Sequence, residues 1–206
     1  ASGQKRYKLQ DLKKISSPRR DAAECSEMTE MRINGTLQKV YVKNSQTMSD
    51  LKSDSIHLII TSPPYFNAKM YSNEPIDGDL GNVHDLDEWF NKISDVWQEC
   101  YRILQPGRKI FVNIMNLPIR EDNGYRTLNL SGKTIDIMET IGFIFKRDIV
   151  WHKTRGVKAH FGTYPYPGGI IINNMHEFIL EFNKPEKKGN RKYSHLTEEI
   201  REQSKL

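Results

Sequence analysis

The stretch Asp54-Ser55-Ile56-His57-Leu58-Ile59-Ile60-Thr61-Ser62-Pro63-Pro64-Tyr65 decides the fold. His57 to Thr61 is a short apolar run rich in β-branched residues, and it stops abruptly at two consecutive prolines. Continuous apolar character over one strand length, followed by a break, is the pattern of a buried parallel strand. Upstream, Lys39 to Val42 reads as a short strand and Ser45 to Lys52 as a short helix. Downstream, Leu86, Trp89, Phe90, Ile93, Val96, Trp97, Cys100, Tyr101 and Leu104 recur at spacings of three and four, which predicts a helix over 85–104 ended by Pro106-Gly107. Trp89 and Trp97 share one face of it and are expected in the core. Lys109 to Met115, Phe143 to Trp151 and His176 to Phe182 read as further strands. Thr134 to Ile141 reads as a helix stopped by Gly142, the stretch 158–172 as a Gly- and Pro-rich loop, and Thr197 as the start of a weak helix. Strands alternating with helices imply an α/β fold with a largely parallel sheet. Ligands of such sheets sit beyond the carboxyl ends of the strands, where Ser62 to Tyr65 falls.

The 206 residues, 37% hydrophobic and 28% charged, suit one ordinary folded domain. No apolar run approaches the roughly 18 residues of a membrane-spanning helix, and residues 1–20 lack the apolar segment of a secretory signal. Cys25 and Cys100 are the only cysteines, which excludes a disulfide scaffold and a paired-cysteine zinc site and suits a reducing cytoplasm. Both read as inert, Cys25 in a polar arm and Cys100 on an apolar helix face. The net charge of +5 is concentrated at the ends of the chain. This divides the sequence into a polar basic arm (1–35), a compact region (36–184) and a polar tail (185–206). Basic ends on a mildly acidic body admit nucleic acid as a partner.

The Ser-Pro-Pro-Tyr turn has a chemistry of its own. Two prolines fix two φ angles near −65° and remove two N–H donors, and Ser62, preceding a proline, is held extended. What remains is a stiff turn offering carbonyl acceptors, the Ser62 hydroxyl and the flat ring of Tyr65. That set fits a planar ring with an exocyclic amine. The ring stacks on Tyr65, and the amine hydrogens go to Ser62 Oγ and the Pro63 carbonyl. A base inside a duplex must be flipped out to reach such a turn.

These residues resemble the catalytic segment of amino-group DNA methyltransferases from restriction–modification systems, and the order of the later segments resembles their beta group. Trp97 to Gly107, Lys109 to Asn113, Gly142 to Lys153 and His176 to Lys184 each resemble the corresponding family segment, so the likeness covers 37–184. It implies a Rossmann-like fold, S-adenosylmethionine as methyl donor without a metal, and double-stranded DNA as substrate. Ser62, Pro63, Pro64 and Tyr65 would be catalytic. Serine at position 62 resembles the cytosine-N4 branch, with adenine N6 as the alternative target. Asn44, at the position of the family's acidic residue, and Ser62 would face the donor.

The sequence also departs from the family. Its glycine-rich donor-binding turn is absent, and no Gly-x-Gly triplet occurs. The chain is therefore expected to be the catalytic half of the fold, with the donor-binding half missing. Leu58-Ile59-Ile60 would then form a bare apolar sheet edge, to be covered by the missing half, a second copy or the N-terminal arm. A non-catalytic DNA-binding or assembly subunit of a split enzyme is the competing reading. Methyltransferases of RNA or protein amides carry the glycine turn upstream, where residues 1–61 have none.

Lys153, Arg155, Lys158 and His160, interleaved with Phe161, Tyr164 and Tyr166, suggest contacts to DNA phosphates and flanking bases. Ser131-Gly132-Lys133-Thr134 resembles the end of a phosphate loop, but Thr127 stands where its first glycine belongs, so it reads as a helix start. His176 reads as structural, and no histidine pair has metal-ligand spacing.

Overall fold

The computed structural model describes residues 27–66, 79–121, 124–153, 175–186 and 197–203. They divide into two compact units between Lys43 and Asn44. The described part of the first is a hairpin of β1 (Glu27–Ile33) and β2 (Thr36–Val42). Asn34 and Gly35 turn it with φ of 48° and 79°, the left-handed conformation that a two-residue hairpin turn requires. The boundary expected at residue 35 thus falls inside this turn.

In the second unit, β3 (Ile56–Thr61), β4 (Leu104–Ile114), β7 (Ile144–His152) and β8 (His176–Asn183) form one sheet in the order β3-β4-β8-β7. The expectation of a largely parallel sheet is corrected in part. Among the described residues only β3 and β4 pair in parallel, while β8 is antiparallel to both β4 and β7. Because β8 alone is reversed, β3, β4 and β7 still run the same way and end at the same edge. Two helices, α1 (Leu86–Ile103) and α2 (Leu130–Ile141), pack on one face, and a separate hairpin of β5 (Leu117–Glu121) and β6 (Gly124–Leu128) joins β4 to α2.

Each element follows from local chemistry. Asp85 caps α1 by accepting from the Glu88 backbone N–H at 2.8 Å. The apolar stripe then buries Trp89, Ile93, Val96, Trp97, Cys100 and Ile103, with Trp89 and Trp97 at 0% and 1% exposure. Asn129 caps α2 through the Gly132 N–H, so Ser131 to Thr134 is the expected helix start. Gly142 ends α2 at φ 117°, with the Tyr101 hydroxyl 3.2 Å from where a Cβ would stand. Ile110, Val112 and Ile114 of β4 meet Phe182, Leu180 and Phe178 of β8 beneath the helices. The alternate residues Lys109, Phe111 and Asn113 point to the other face. There Glu181, buried, pairs with Lys109 at 2.6 Å and Arg147 at 3.1 Å, lacing three strands together.

The helix expected over Ser45 to Lys52 does not form. This segment is a series of turns held against α1 by side chains. The Glu99 carboxylate accepts from the Met48 N–H at 2.7 Å, and Arg102 donates to the carbonyls of Met48 and Leu51 and to Glu99. Those bonds satisfy backbone groups that a helix would have paired internally. Among the described residues β3 forms one edge of the sheet, with Leu58 and Ile60 exposed at 51% and 75%, so the apolar edge foreseen in the sequence lies on β3.

Lys184 closes the far end of the sheet. Only 9% exposed, its ammonium donates to Asp54 Oδ1 at 2.7 Å, the Tyr101 carbonyl at 2.6 Å and the Leu104 carbonyl at 2.8 Å, and it lies 4.6 Å from the centre of the Tyr101 ring. One cation thus ties the end of β8 to the exit of α1 and the entry of β3. Lys184→Met is expected to cost about 3 kcal/mol, because it strands a carboxylate and two carbonyls, and urea unfolding measures it.

The Arg102 hydrogen bond, against an opposing desolvation cost, holds the Glu99 carboxyl at about 2, well below its ordinary 4.5. A lowered carboxylate stabilises the fold fully above pH 4.5 and loses that contribution as pH falls toward 2. Glu99→Gln is expected to flatten the fall in melting temperature across that window, as read by thermal melts at stepped pH.

Candidate functional site

The sheet edge at which β3, β4 and β7 end also receives the start of β8, because β8 runs the other way. Four segments therefore meet there: the Ser62–Tyr65 turn, the end of β4, the end of β7 and the first residues of β8.

The turn is anchored from below. Pro63 and Phe66 are buried, and the Phe66 ring meets Trp89 edge-on at 6.4 Å. Ser62 is exposed. The turn is thus pinned to the core at Pro63 and Phe66 while Ser62 remains exposed. Tyr65 is half-buried and packs on the core, with its phenol held at the far end. Asn113 Nδ2 donates to the Tyr65 hydroxyl at 3.0 Å and to Glu177 Oε2 at 2.7 Å, and the hydroxyl donates to Glu177 Oε2 at 3.3 Å. Lys153 Nζ pairs with Glu177 Oε1 at 2.8 Å and lies 3.8 Å from the centre of the Trp151 ring.

Strand period explains why these side chains meet. Asn113 pairs with Ile179 across β4 and β8, and Trp151 pairs with Glu177 across β7 and β8. Residues two apart share a face, so Asn113, Glu177, Trp151 and Lys153 all lie on the face away from the helices. Burial pushes the Glu177 carboxyl up, but Lys153, Asn113 and Tyr65 together outweigh this and hold it below the ordinary carboxylate value. Glu177 is thus an acceptor at neutral pH.

The structure therefore brings together Ser62, Pro63, Pro64, Tyr65 and Lys153 of the expected residues. Lys153 is engaged by Glu177, while Arg155, Lys158 and His160 lie outside the described residues. Asn44 sits elsewhere: its amide caps Gln46, which reaches Lys92 and Asp95 on the flank of α1. His176 packs edge-on against Phe178 at 4.9 Å. Asn113 and Glu177 were not anticipated. Their signal in the sequence is a polar residue interrupting an apolar strand at Lys109 to Met115 and again at His176 to Phe182. A groove of about 790 Å³ between α1 and α2, lined by Phe90, Gln98, Tyr101, Lys133 and Ile137, contains none of the site residues. Among the described residues, no group of three His, Cys, Asp or Glu is placed to hold a metal ion, and no helix is long and apolar enough to cross a membrane.

A mixed sheet of this order, helices on one face and a stiff Ser-Pro-Pro-Tyr turn at the carboxyl edge define a Rossmann-like methyltransferase architecture. The chain belongs to the DNA methylase family of N6 and N4 methyltransferases, whose model matches residues 56–206. It is 29% identical over 160 residues to the type II methyltransferase M.MthZI of Methanothermobacter thermautotrophicus, covering 72% of this chain and 45% of that protein. It is 26% identical over 170 residues to M.MjaI of Methanocaldococcus jannaschii, covering 72% and 56%. Among solved structures it is similar to TTHA0409 of Thermus thermophilus, a candidate DNA modification methylase in complex with S-adenosyl-L-methionine. That likeness has a TM-score of 0.56 at 28% identity, covering 80% of this chain and 61% of the other. The cytosine-N4-specific PvuII DNA methyltransferase shares the fold, with a TM-score of 0.52 at 14% identity, covering 70% and 49%. The chain spans about half the length of the curated relatives it matches.

Cys100 is buried on the inward face of α1, and burial raises its thiol to about 12, so it is no nucleophile at neutral pH. Alkylation followed by peptide mass spectrometry is expected to leave Cys100 unmodified in the folded protein and to label it fully in denaturant.

Proposed function

We propose that this chain carries the amine-holding side of a restriction–modification DNA methyltransferase acting on a base flipped out of double-stranded DNA, with cytosine N4 as the target. The observation that supports this most is the exposed Ser62 on a rigid turn beside the anchored Tyr65, at the carboxyl edge of the sheet. The ring of the flipped base stacks on Tyr65, which returns about 1–3 kcal/mol of the few kcal/mol that flipping costs. Ser62 Oγ and the Pro63 carbonyl accept the two amine hydrogens. They orient the nitrogen lone pair outward and stabilise the positive charge that develops on it.

S-adenosylmethionine, when bound, supplies a methyl group already activated by a sulfonium charge. The residues present fit the acceptor side of this transfer. Ser62 faces the donor from that side, and residues outside this chain complete the donor pocket, since the glycine turn is not in the sequence. No residue forms a covalent intermediate, and positioning of this kind contributes up to roughly 7–11 kcal/mol. Arg155, Lys158 and His160 contact phosphates, beyond the Lys153 that Glu177 holds. The edge of β3 that is unpaired among the described residues is covered by the N-terminal arm, by a second copy or by residues outside this chain.

Methyl transfer from labelled S-adenosylmethionine to duplex DNA by the full-length protein, followed by nucleoside analysis, tests the reading. N4-methylcytosine is the expected product, N6-methyladenine reassigns the target, and no incorporation overturns the enzyme reading. Ser62→Ala is expected to lower the single-turnover rate about 10²–10³-fold with little change in DNA affinity. Equal losses in both would contradict its role.

A further inference from the structure

Tyr65 is fixed at both ends, and the second fixture lies far away in sequence. At its backbone end the two prolines hold the turn. At its phenol end, Asn113 and Glu177 meet the hydroxyl from 48 and 112 residues away. Glu177 is in turn held by Lys153 at 2.8 Å, with the pair 14% and 28% exposed. A tyrosine needs no such arrangement merely to fill space. A hydroxyl near a sheet edge finds water, whereas here a charged, largely buried carboxylate and a carboxamide are both directed at it. The Lys153 contact also offsets the cost of holding the carboxylate away from water.

We propose that Asn113 and Glu177, braced by Lys153, form a positioning clamp that sets the plane of the Tyr65 ring for base capture. This rests on the stacking role given to Tyr65 above and adds the residues that make it effective. None of the three touches the base or its amine in this scheme. Each acts through the phenol, so their effect must vanish when the phenol is removed.

That condition separates a clamp from general structural support. Base capture is read in the full-length protein from the emission of 2-aminopurine at the target position of a duplex, and Tyr65→Phe and Glu177→Ala are combined in a double-mutant cycle. Each single variant is expected to weaken capture and raise KM for DNA about tenfold while kcat changes less than threefold. The double variant is expected to lose no more than either single one, and Glu177→Gln to recover part of the loss. Additive losses, or wild-type capture in Glu177→Ala, would overturn the clamp.

A second measurement needs no DNA. In protein labelled with ¹³C at the tyrosine ring, the Tyr65 signal, assigned by its disappearance in Tyr65→Phe, is expected to shift and broaden in Glu177→Ala. An unchanged Tyr65 signal would overturn the clamp whatever the activity. Absence of methyl transfer by the wild-type protein would overturn the proposed function alone.

Discussion

The reversed strand β8, wedged between β4 and β7, is the constraint on which the rest of the site depends. Its backbone pairs on both sides, with β4 from Lys109↔Asn183 to Ile114↔Phe178 and with β7 from Ile144↔Asn183 to His152↔His176. A strand paired on both sides cannot slip by one residue without turning every side chain to the opposite face. Its alternate residues are strongly committed: Phe182 and Leu180 lie under the helices, and Glu181 and Glu177 lie on the other face. Reversal then places the first residue pair of β8, not its last, at the edge where β3, β4 and β7 finish.

Two ends of the same sheet are consequently built with opposite chemistry. At one end Lys184 serves closure, its three hydrogen bonds joining β8, α1 and the entry of β3. At the other end Glu177 and Asn113 are directed at a side chain that the prolines already hold. Closure at one end keeps β3 in register with β4, and register carries the Ser-Pro-Pro-Tyr turn to its place. Among the described residues β3 pairs with β4 alone, so this register is secured from the β4 side.

Much of this was legible in the residues. The stripe from Leu86 to Leu104 specifies α1 because an amphipathic helix repeats every three to four residues, and tertiary packing only had to accept it. The abrupt stop at Pro63-Pro64 specifies both the end of β3 and the stiffness of the turn. Asn34-Gly35 is equally legible as a hairpin turn, since both residues accept the left-handed conformation it needs. The segment from Ser45 to Lys52 misled for a physical reason: its propensity favours a helix, but Glu99 and Arg102 offer its backbone better partners from outside.

The sequence by itself determined the elements, the stiff turn and the chemistry that the turn can perform, since all three depend on residues a few positions apart. Only the tertiary structure decided that β8 runs backwards, and so that Asn113, Lys153 and Glu177 converge on Tyr65. Strand direction and register are settled by ladder hydrogen bonds and face burial between strands as distant in the chain as β4 and β8. No local pattern records which end of a strand its neighbours will meet.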